Sequence, residues 1–213
     1  PDHIRALATE VKALEPPRPA RTALGAVTSA RKAMIFEETE GLVIVGERLN
    51  PTGKKTLQAE LREGKWGYVR TMALEQEERG ARLLDVNAAV PGQDEKRLLG
   101  DMVSFLSRTS DLPLVIDSAD PEAIEGALRL YPGRALLNSI SGEAEKMAKL
   151  LPMAARYGAL FILLPLGEGG VPETRQERKE AVRRVWKAAR KHGFTREDMI
   201  IDGLVMTVSS SPR

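Results

Sequence analysis

The strongest constraint in this sequence is a unit that repeats from Gly41 onward: a run of consecutive apolar residues, a polar tip, an amphipathic helix, and a glycine before the next run. The runs are Leu42–Val45, Arg82–Val86, Pro113–Ile116, Ala135–Leu137, Ala159–Leu164 and Met199–Ile201. Between them, apolar residues recur at spacings of three and four, as in Leu98, Leu99, Met102, Val103 and Leu106, or Val182, Val185, Trp186 and Ala189. The punctuation agrees. Asp120-Pro121 is a helix cap followed by proline at the first helical position, and Gly80, Gly158 and Gly193 follow helix ends. Strands apolar on both faces and alternating with helices require a parallel sheet covered by helices. A doubly wound nucleotide fold calls for a Gly-x-Gly-x-x-Gly turn after its first strand, and Gly46-Glu47-Arg48-Leu49-Asn50-Pro51-Thr52-Gly53 is not one. The expectation is an α/β chain of the (β/α)₈ TIM-barrel class, incomplete at about six units, with its site at the carboxyl ends of the strands.

The start of the chain reads differently. Ile4, Leu7, Ala8, Val11 and Leu14 describe an amphipathic helix within residues 1–15 that lacks the surface it packs against. Residues 16–36, rich in Pro, Ala, Arg and Thr, read as an extended linker, and residues 37–213 as the barrel domain. Pro1 is no initiator, so a slice of a longer protein is expected.

Composition narrows the chemistry. With 213 residues, 42% hydrophobic and 29% charged, the chain has the apolar content of a folded core. A net charge of +2 does not describe a nucleic-acid binder. The absence of cysteine excludes a disulfide framework and a thiol nucleophile within these residues, and two histidines, His3 and His192, leave no multi-histidine metal site or serine triad. No apolar run reaches the roughly 20 residues that span a bilayer, so no membrane partner and a cytoplasmic location are expected.

What the strands carry at their ends is more specific. Glu47 and Asn50 follow the first, Asp85 and Asn87 the second, Asp117 and Ser118 the third, Asn138 and Ser139 the fourth, and Asp202 the sixth. In a parallel barrel these tips converge on one mouth, giving a ring of acceptors and amides whose cation is Arg48. Each residue alone has a plain structural reading, since Asp, Asn and Ser cap helices and tolerate turns. Asp117 is the best case for function, because Ser118 and Asp120 already supply caps. Such a ring suits a flat, donor-rich heterocycle: a 2-amino-4-oxo-pyrimidine offers a ring N–H beside an NH₂ to one carboxylate, and asparagines match a mixed edge. A pterin or a purine is the chemical expectation. A divalent cation on scattered single carboxylates is the weaker alternative, and Gly167-Glu168-Gly169-Gly170 without a following Lys-Ser or Lys-Thr reads as a loop, not a phosphate cradle.

The set Val45-Gly46-Glu47-Arg48-Leu49-Asn50-Pro51, Leu84-Asp85-Val86-Asn87, Ile116-Asp117-Ser118, Leu137-Asn138-Ser139-Ile140-Ser141-Gly142-Glu143 and Ile201-Asp202 resembles the pterin-binding methyltransferase family. Its members include the folate domain of cobalamin-dependent methionine synthases and the methyltetrahydrofolate:corrinoid methyltransferases. The resemblance covers roughly Gly41 to Val208 and implies a (β/α)₈ barrel. It also implies transfer of the N5 methyl of 5-methyltetrahydrofolate to cob(I)alamin on another module. Carried over, Asp117, Asn138 and Asp202 are pterin-ring ligands, Asp85 and Asn87 share their pocket, and Glu47 and Asn50 line the mouth. No residue is implied as a nucleophile or metal ligand.

Pro1-Asp2-His3-Ile4-Arg5-Ala6-Leu7 looks like the last helix of a homocysteine methyltransferase barrel, which implies a preceding homocysteine domain carrying zinc outside this chain, and hence methionine synthesis. The family barrel continues through a seventh and eighth strand, so the resemblance implies low activity for these residues alone. Three alternatives stand beside it: a stand-alone methyltetrahydrofolate:corrinoid methyltransferase, a dihydropteroate synthase, and a non-catalytic folate-binding module. The second expects a Thr-Pro-Asp-Ser-Phe type segment where Asn50-Pro51-Thr52-Gly53-Lys54 stands.

Overall fold

The computed structural model describes residues 2–12, 14–15, 24–167 and 169–205. Residues 16–23 of the expected linker, Glu168, and the end of the chain from residue 206 lie outside them. Helix α1 (Asp2–Lys12) has acidic Asp2 in its first turn and Lys12 in its last, which suits the helix dipole. It buries no residue: Ile4, Leu7 and Val11 are all exposed.

Six strands form one parallel sheet: β3 (Val45–Leu49), β4 (Leu83–Asn87), β5 (Leu114–Asp117), β6 (Leu136–Ser141), β7 (Leu160–Leu164) and β8 (Met199–Ile201). Each pairs with its predecessor, so the strand order never reverses as it does in doubly wound sheets. Helices α2 (Lys55–Arg62), α3 (Gly67–Glu78), α4 (Glu95–Thr109), α5 (Pro121–Leu130), α6 (Ala144–Tyr157) and α7 (Arg175–Arg190) lie in the connections. Among the described residues this is an incomplete β/α barrel of six strands, open between its edges β3 and β8.

The first strand lies three residues later than the apolar run Leu42–Val45 indicates. Leu42 is 93% exposed, and the strand itself carries Gly46, Glu47 and Arg48, whose polarity hides it from a reading of apolar runs. Helix α2 also escapes that reading, because Leu57 and Leu61 are its only buried residues. Elsewhere the punctuation is used as expected. The Asp94 carboxylate accepts from the Arg97 N–H, Asp120 accepts from the Glu122 N–H with Pro121 next to it, Thr174 and Glu177 form a capping box, and Gly158 ends α6 at φ 67°.

The second half of the expected linker is a packed element. Strands β1 (Ala26–Thr28) and β2 (Ala33–Ile35) form an antiparallel hairpin whose Ser29 Oγ accepts from the N–H groups of Arg31 and Lys32 in the turn. Two three-residue strands are too short to show a period, so composition alone suggested an extended chain. Val27 and Met34 pack with Leu83, Val115, Leu136 and Leu160, the inward residues near the strand starts. Arg134, just before β6, binds the hairpin in place. Its Nη1 donates to the carbonyls of Leu24 and Ala26, its Nη2 pairs with Asp198 at 2.7 Å, and its backbone N–H donates to Thr28 Oγ1.

The hairpin therefore plugs the amino-terminal end of the sheet with an apolar layer. Residues one step away, such as Leu84, Val86, Leu114, Ile116, Leu137, Phe161 and Leu163, point outward into the core shared with the helices. Each fully buried side chain of this kind contributes roughly 1.5–3 kcal/mol. The same period of two places Asp85, Asn87, Asp117 and Asn138 on the inward side, above the apolar layer.

Candidate functional site

Strand register sets the site. Asn87, Asp117 and Asn138 are direct neighbours across β4, β5 and β6. Asp85 sits two residues before Asn87, one inward position deeper. Two hydrogen bonds join an amide to an acid: Asn87 Nδ2 donates to Asp117 Oδ2 at 2.9 Å, and Asn138 Nδ2 donates to Asp85 Oδ2 at 3.0 Å, reaching past β5. These bonds orient both amides, because each nitrogen must face its carboxylate and each amide oxygen the other way. The Asn87 oxygen accepts from the Ala89 N–H, so both ends of the Asn87 amide bond protein groups and it holds Asp117 in place. Among the described residues the Asn138 oxygen has no side-chain or backbone donor on it.

Burial and like charge act together on the acids. Asp85 is 3% exposed, and its Oδ1 is shielded from solvent without a partner. Desolvation pushes its carboxyl up to about 7; the Asn138 hydrogen bond opposes this, and the charges of Asp117 and Glu47 add to it. Asp117 is raised for the same leading reason, opposed by its bond from Asn87 and reinforced by Glu47 and Glu95. Glu47 thus shares the field of both aspartates although its own side chain is exposed.

Arg48, the one cation at a strand tip, turns away from this ring. Its Nη1 pairs with Glu75 on α3 at 2.6 Å, and its backbone N–H donates to Gln76 Oε1 at 2.8 Å. Gly46 makes room for that glutamine: a Cβ at this position would lie 2.7 Å from Gln76 Oε1. Among the described residues, Glu47, Asp85, Asp117 and Asp202 form no ion pair.

The other expected site residues are placed differently. Asn50 Oδ1 accepts from the Thr52 N–H, a turn role, and its carbonyl accepts from Lys54 Nζ. Asp202 follows β8, is exposed, and accepts from the Leu204 N–H through Oδ1. The structure therefore brings Glu47, Asp85, Asn87, Asp117 and Asn138 together, and gives Asn50 and Asp202 local turn bonds. It also adds Glu95, Lys146 and Leu150, which sequence reading left in the helices. Ser118 Oγ bonds Glu95 at the start of α4, behind Asp117. A cavity of about 160 Å³ is lined by Asp117, Ser118, Asn138, Ser139, Lys146 and Leu150. A helix-start glutamate gave no signal of this, because the contact depends on how α4 meets β5. No group of metal-binding side chains occurs among the described residues.

Residues 46–212 match the model of the family described as pterin binding enzymes. The chain belongs to the pterin-binding enzyme family. Within it, the chain is 32% identical over 174 residues to the methylcorrinoid:tetrahydrofolate methyltransferase of Eubacterium limosum, covering 79% of this chain and 63% of that protein. It is 26% identical over 216 residues to the methionine synthase of Mycobacterium tuberculosis, covering 99% of this chain and 18% of that protein. The chain thus spans less than two thirds of the length of either relative. A dihydropteroate synthase from Coxiella burnetii, solved in complex with pteroic acid, superposes with a TM-score of 0.61 at 16% identity, over 81% of this chain and 62% of that one. At that identity the likeness speaks to the barrel fold of this pterin-binding family member, and no helix among its described residues is long and apolar enough to cross a membrane.

Proposed function

We propose that this chain binds 5-methyltetrahydrofolate and presents its N5 methyl group for transfer to a corrinoid, as part of a methyltransferase. The observation that carries this reading is the Asn87–Asp117–Asn138 row, with Asp85 beneath it and, among the described residues, no cation paired to either acid. Such a row is complementary to a ligand that brings its own donors. Asp117, held by Asn87, accepts from the ring N–H and exocyclic NH₂ of the pterin, and the free oxygen of Asn138 accepts from a further ring N–H. Asp202 closes the ring from the β8 side, with Glu47 and Asn50 at the mouth.

No protein nucleophile is needed. A cobalamin-binding module is the partner this reading requires, and cob(I)alamin supplies the nucleophilic acceptor. This chain's share is to hold the pterin in line and exclude alternative poses. The match to a methionine synthase over nearly the whole chain supports methionine synthesis as the setting, with a homocysteine-binding, zinc-containing domain as a further partner outside these residues.

The test is an equilibrium titration with 5-methyltetrahydrofolate. Asp117→Asn removes a charge-assisted bond pair worth about 1.5–3 kcal/mol, so the Kd is expected to rise by roughly 10- to 150-fold with secondary structure unchanged. Unaltered affinity refutes the assignment. Methyl transfer from 5-methyltetrahydrofolate to reduced cobalamin, assayed with the flanking segments restored, tests the reaction itself.

A further inference from the structure

The cavity beside Asp117 is lined by donors as well as acceptors. Ser139 in β6 and Lys146 in the first turn of α6 both border it, and neither takes part in the two amide–acid bonds of the ring. Among the described residues the Ser139 hydroxyl has no hydrogen-bond partner. The Lys146 ammonium pairs with Glu143 at 2.7 Å, which occupies one of its three N–H groups. Ser118 is different, because its Oγ bonds Glu95 and also accepts from the Asp120 N–H.

The size of the cavity decides which part of a pterin enters it. It measures about 160 Å³, and a cavity of about 150 Å³ takes up a single benzene ring. One six-membered ring therefore fits, and the ring that carries the donors for Asp117 is the pyrimidinone. The reduced ring and its N5 then stay outside, toward the mouth. Along the pyrimidinone edge the groups run 2-NH₂, N3–H, 4-oxo: two donors, then an acceptor. With both donors given to Asp117, the 4-oxo oxygen lies next to N3 and needs a donor from the same cavity. Buried without one, it would carry the desolvation cost of an unsatisfied acceptor.

We propose that Ser139 and Lys146 donate to the 4-oxo oxygen and make the site selective for a 4-oxo over a 4-amino heterocycle. This rests on the pterin-binding reading and adds to it the residues that read the third group of the edge. Against a 4-amino compound the same two donors face another donor. A site built to hydrogen-bond one group rejects the analogue that lacks it, because its own polar groups are left unpaired. Lys146 is the stronger determinant, since a charged donor makes a bond roughly twice as strong as a neutral one. A Lys146 that served only as the ion-pair partner of Glu143 would affect both compounds alike.

The experiment compares equilibrium binding of tetrahydrofolate and its 4-amino counterpart, tetrahydroaminopterin, to the wild-type protein, Lys146→Met, Lys146→Arg and Ser139→Ala. Methionine keeps an apolar stem against the cavity and removes the ammonium. In Lys146→Met the affinity for tetrahydrofolate is expected to fall roughly 10-fold or more while that for the 4-amino compound holds or rises, so the preference narrows by at least that factor. Ser139→Ala narrows it by roughly 2- to 10-fold, and Lys146→Arg, which retains a charged donor, keeps most of it. Equal losses for both compounds, or an unchanged preference in Lys146→Met, overturns the assignment. Should Lys146→Met not fold, Ser139→Ala decides by the same two criteria. Failure of the wild-type protein to bind either compound refutes the pterin-binding reading itself, which is distinct from failure of the roles given to Ser139 and Lys146.

Discussion

Replacing Asp85 by asparagine should stabilise the protein, and do so more at alkaline than at acid pH. The Asp85 carboxyl is raised from an ordinary 3.8 to about 7, chiefly by burial. A carboxyl raised in the folded state binds more protons there than in the unfolded chain, so its contribution becomes less favourable as pH rises from the unfolded value through the folded one. The full penalty, at about 1.4 kcal/mol per pH unit, is of order 4 kcal/mol above pH 7. At pH 5 the folded carboxyl still carries its proton, and only about 1.6 kcal/mol of the penalty is expressed. Asparagine preserves the acceptor for Asn138 and cannot ionise, so it escapes this cost. Urea denaturation of wild type and Asp85→Asn at pH 5 and pH 8 should therefore show the variant's advantage growing by roughly 2–3 kcal/mol between the two conditions. Equal differences at both values would mean that Asp85 does not change charge in this window, and the account of the buried acid would fall. Asp117 is raised in the same direction, and the repulsion it shares with Asp85 is relieved in the variant, which adds to the variant's advantage at alkaline pH.

Two further outcomes test the scaffold. Asn87→Ala removes the donor that orients Asp117 without touching an acid, so affinity for 5-methyltetrahydrofolate should drop roughly 5- to 30-fold, about 1–2 kcal/mol; an unchanged Kd would show that Asp117 needs no support. Arg134→Ala deletes the side-chain bonds to Leu24, Ala26 and Gly158 and the pair with Asp198. It should cost roughly 2–4 kcal/mol and raise hydrogen exchange across residues 24–36 in particular, whereas a uniform rise over the sheet would contradict a clamp local to the hairpin.

The alternation of strands and helices was legible because interior barrel strands are apolar on both faces, so runs such as Leu160–Leu164 stand out regardless of which way each side chain points. The same logic failed at β3, where the strand carries glycine, glutamate and arginine, and at β1 and β2, where three residues hold no period. The residue types of the site were legible from their positions at strand ends. Their pairing was not. Whether Asn138 bonds Asp117 beside it or Asp85 beyond β5 depends on sheet register and side-chain reach, and that choice separates an acid left open to a ligand from one buried with a bare oxygen. For Asn50 and Asp202 local sequence allowed a turn role and a ligand role alike, and only the folded loops show the turn bonds to residues two positions on.

The hairpin at the foot of the sheet bears on the order in which the chain assembles. Thr28 and Arg134 are bonded across 106 residues, and Thr28 and Tyr131 across 103, while Val27 and Met34 rest on strands β4 to β7. A segment made early in synthesis therefore waits for residues made much later, and closing so long a loop gains nothing until those strands stand together. Seating of the hairpin belongs late in folding, so weakening its contacts should hasten unfolding while leaving the folding rate nearly untouched.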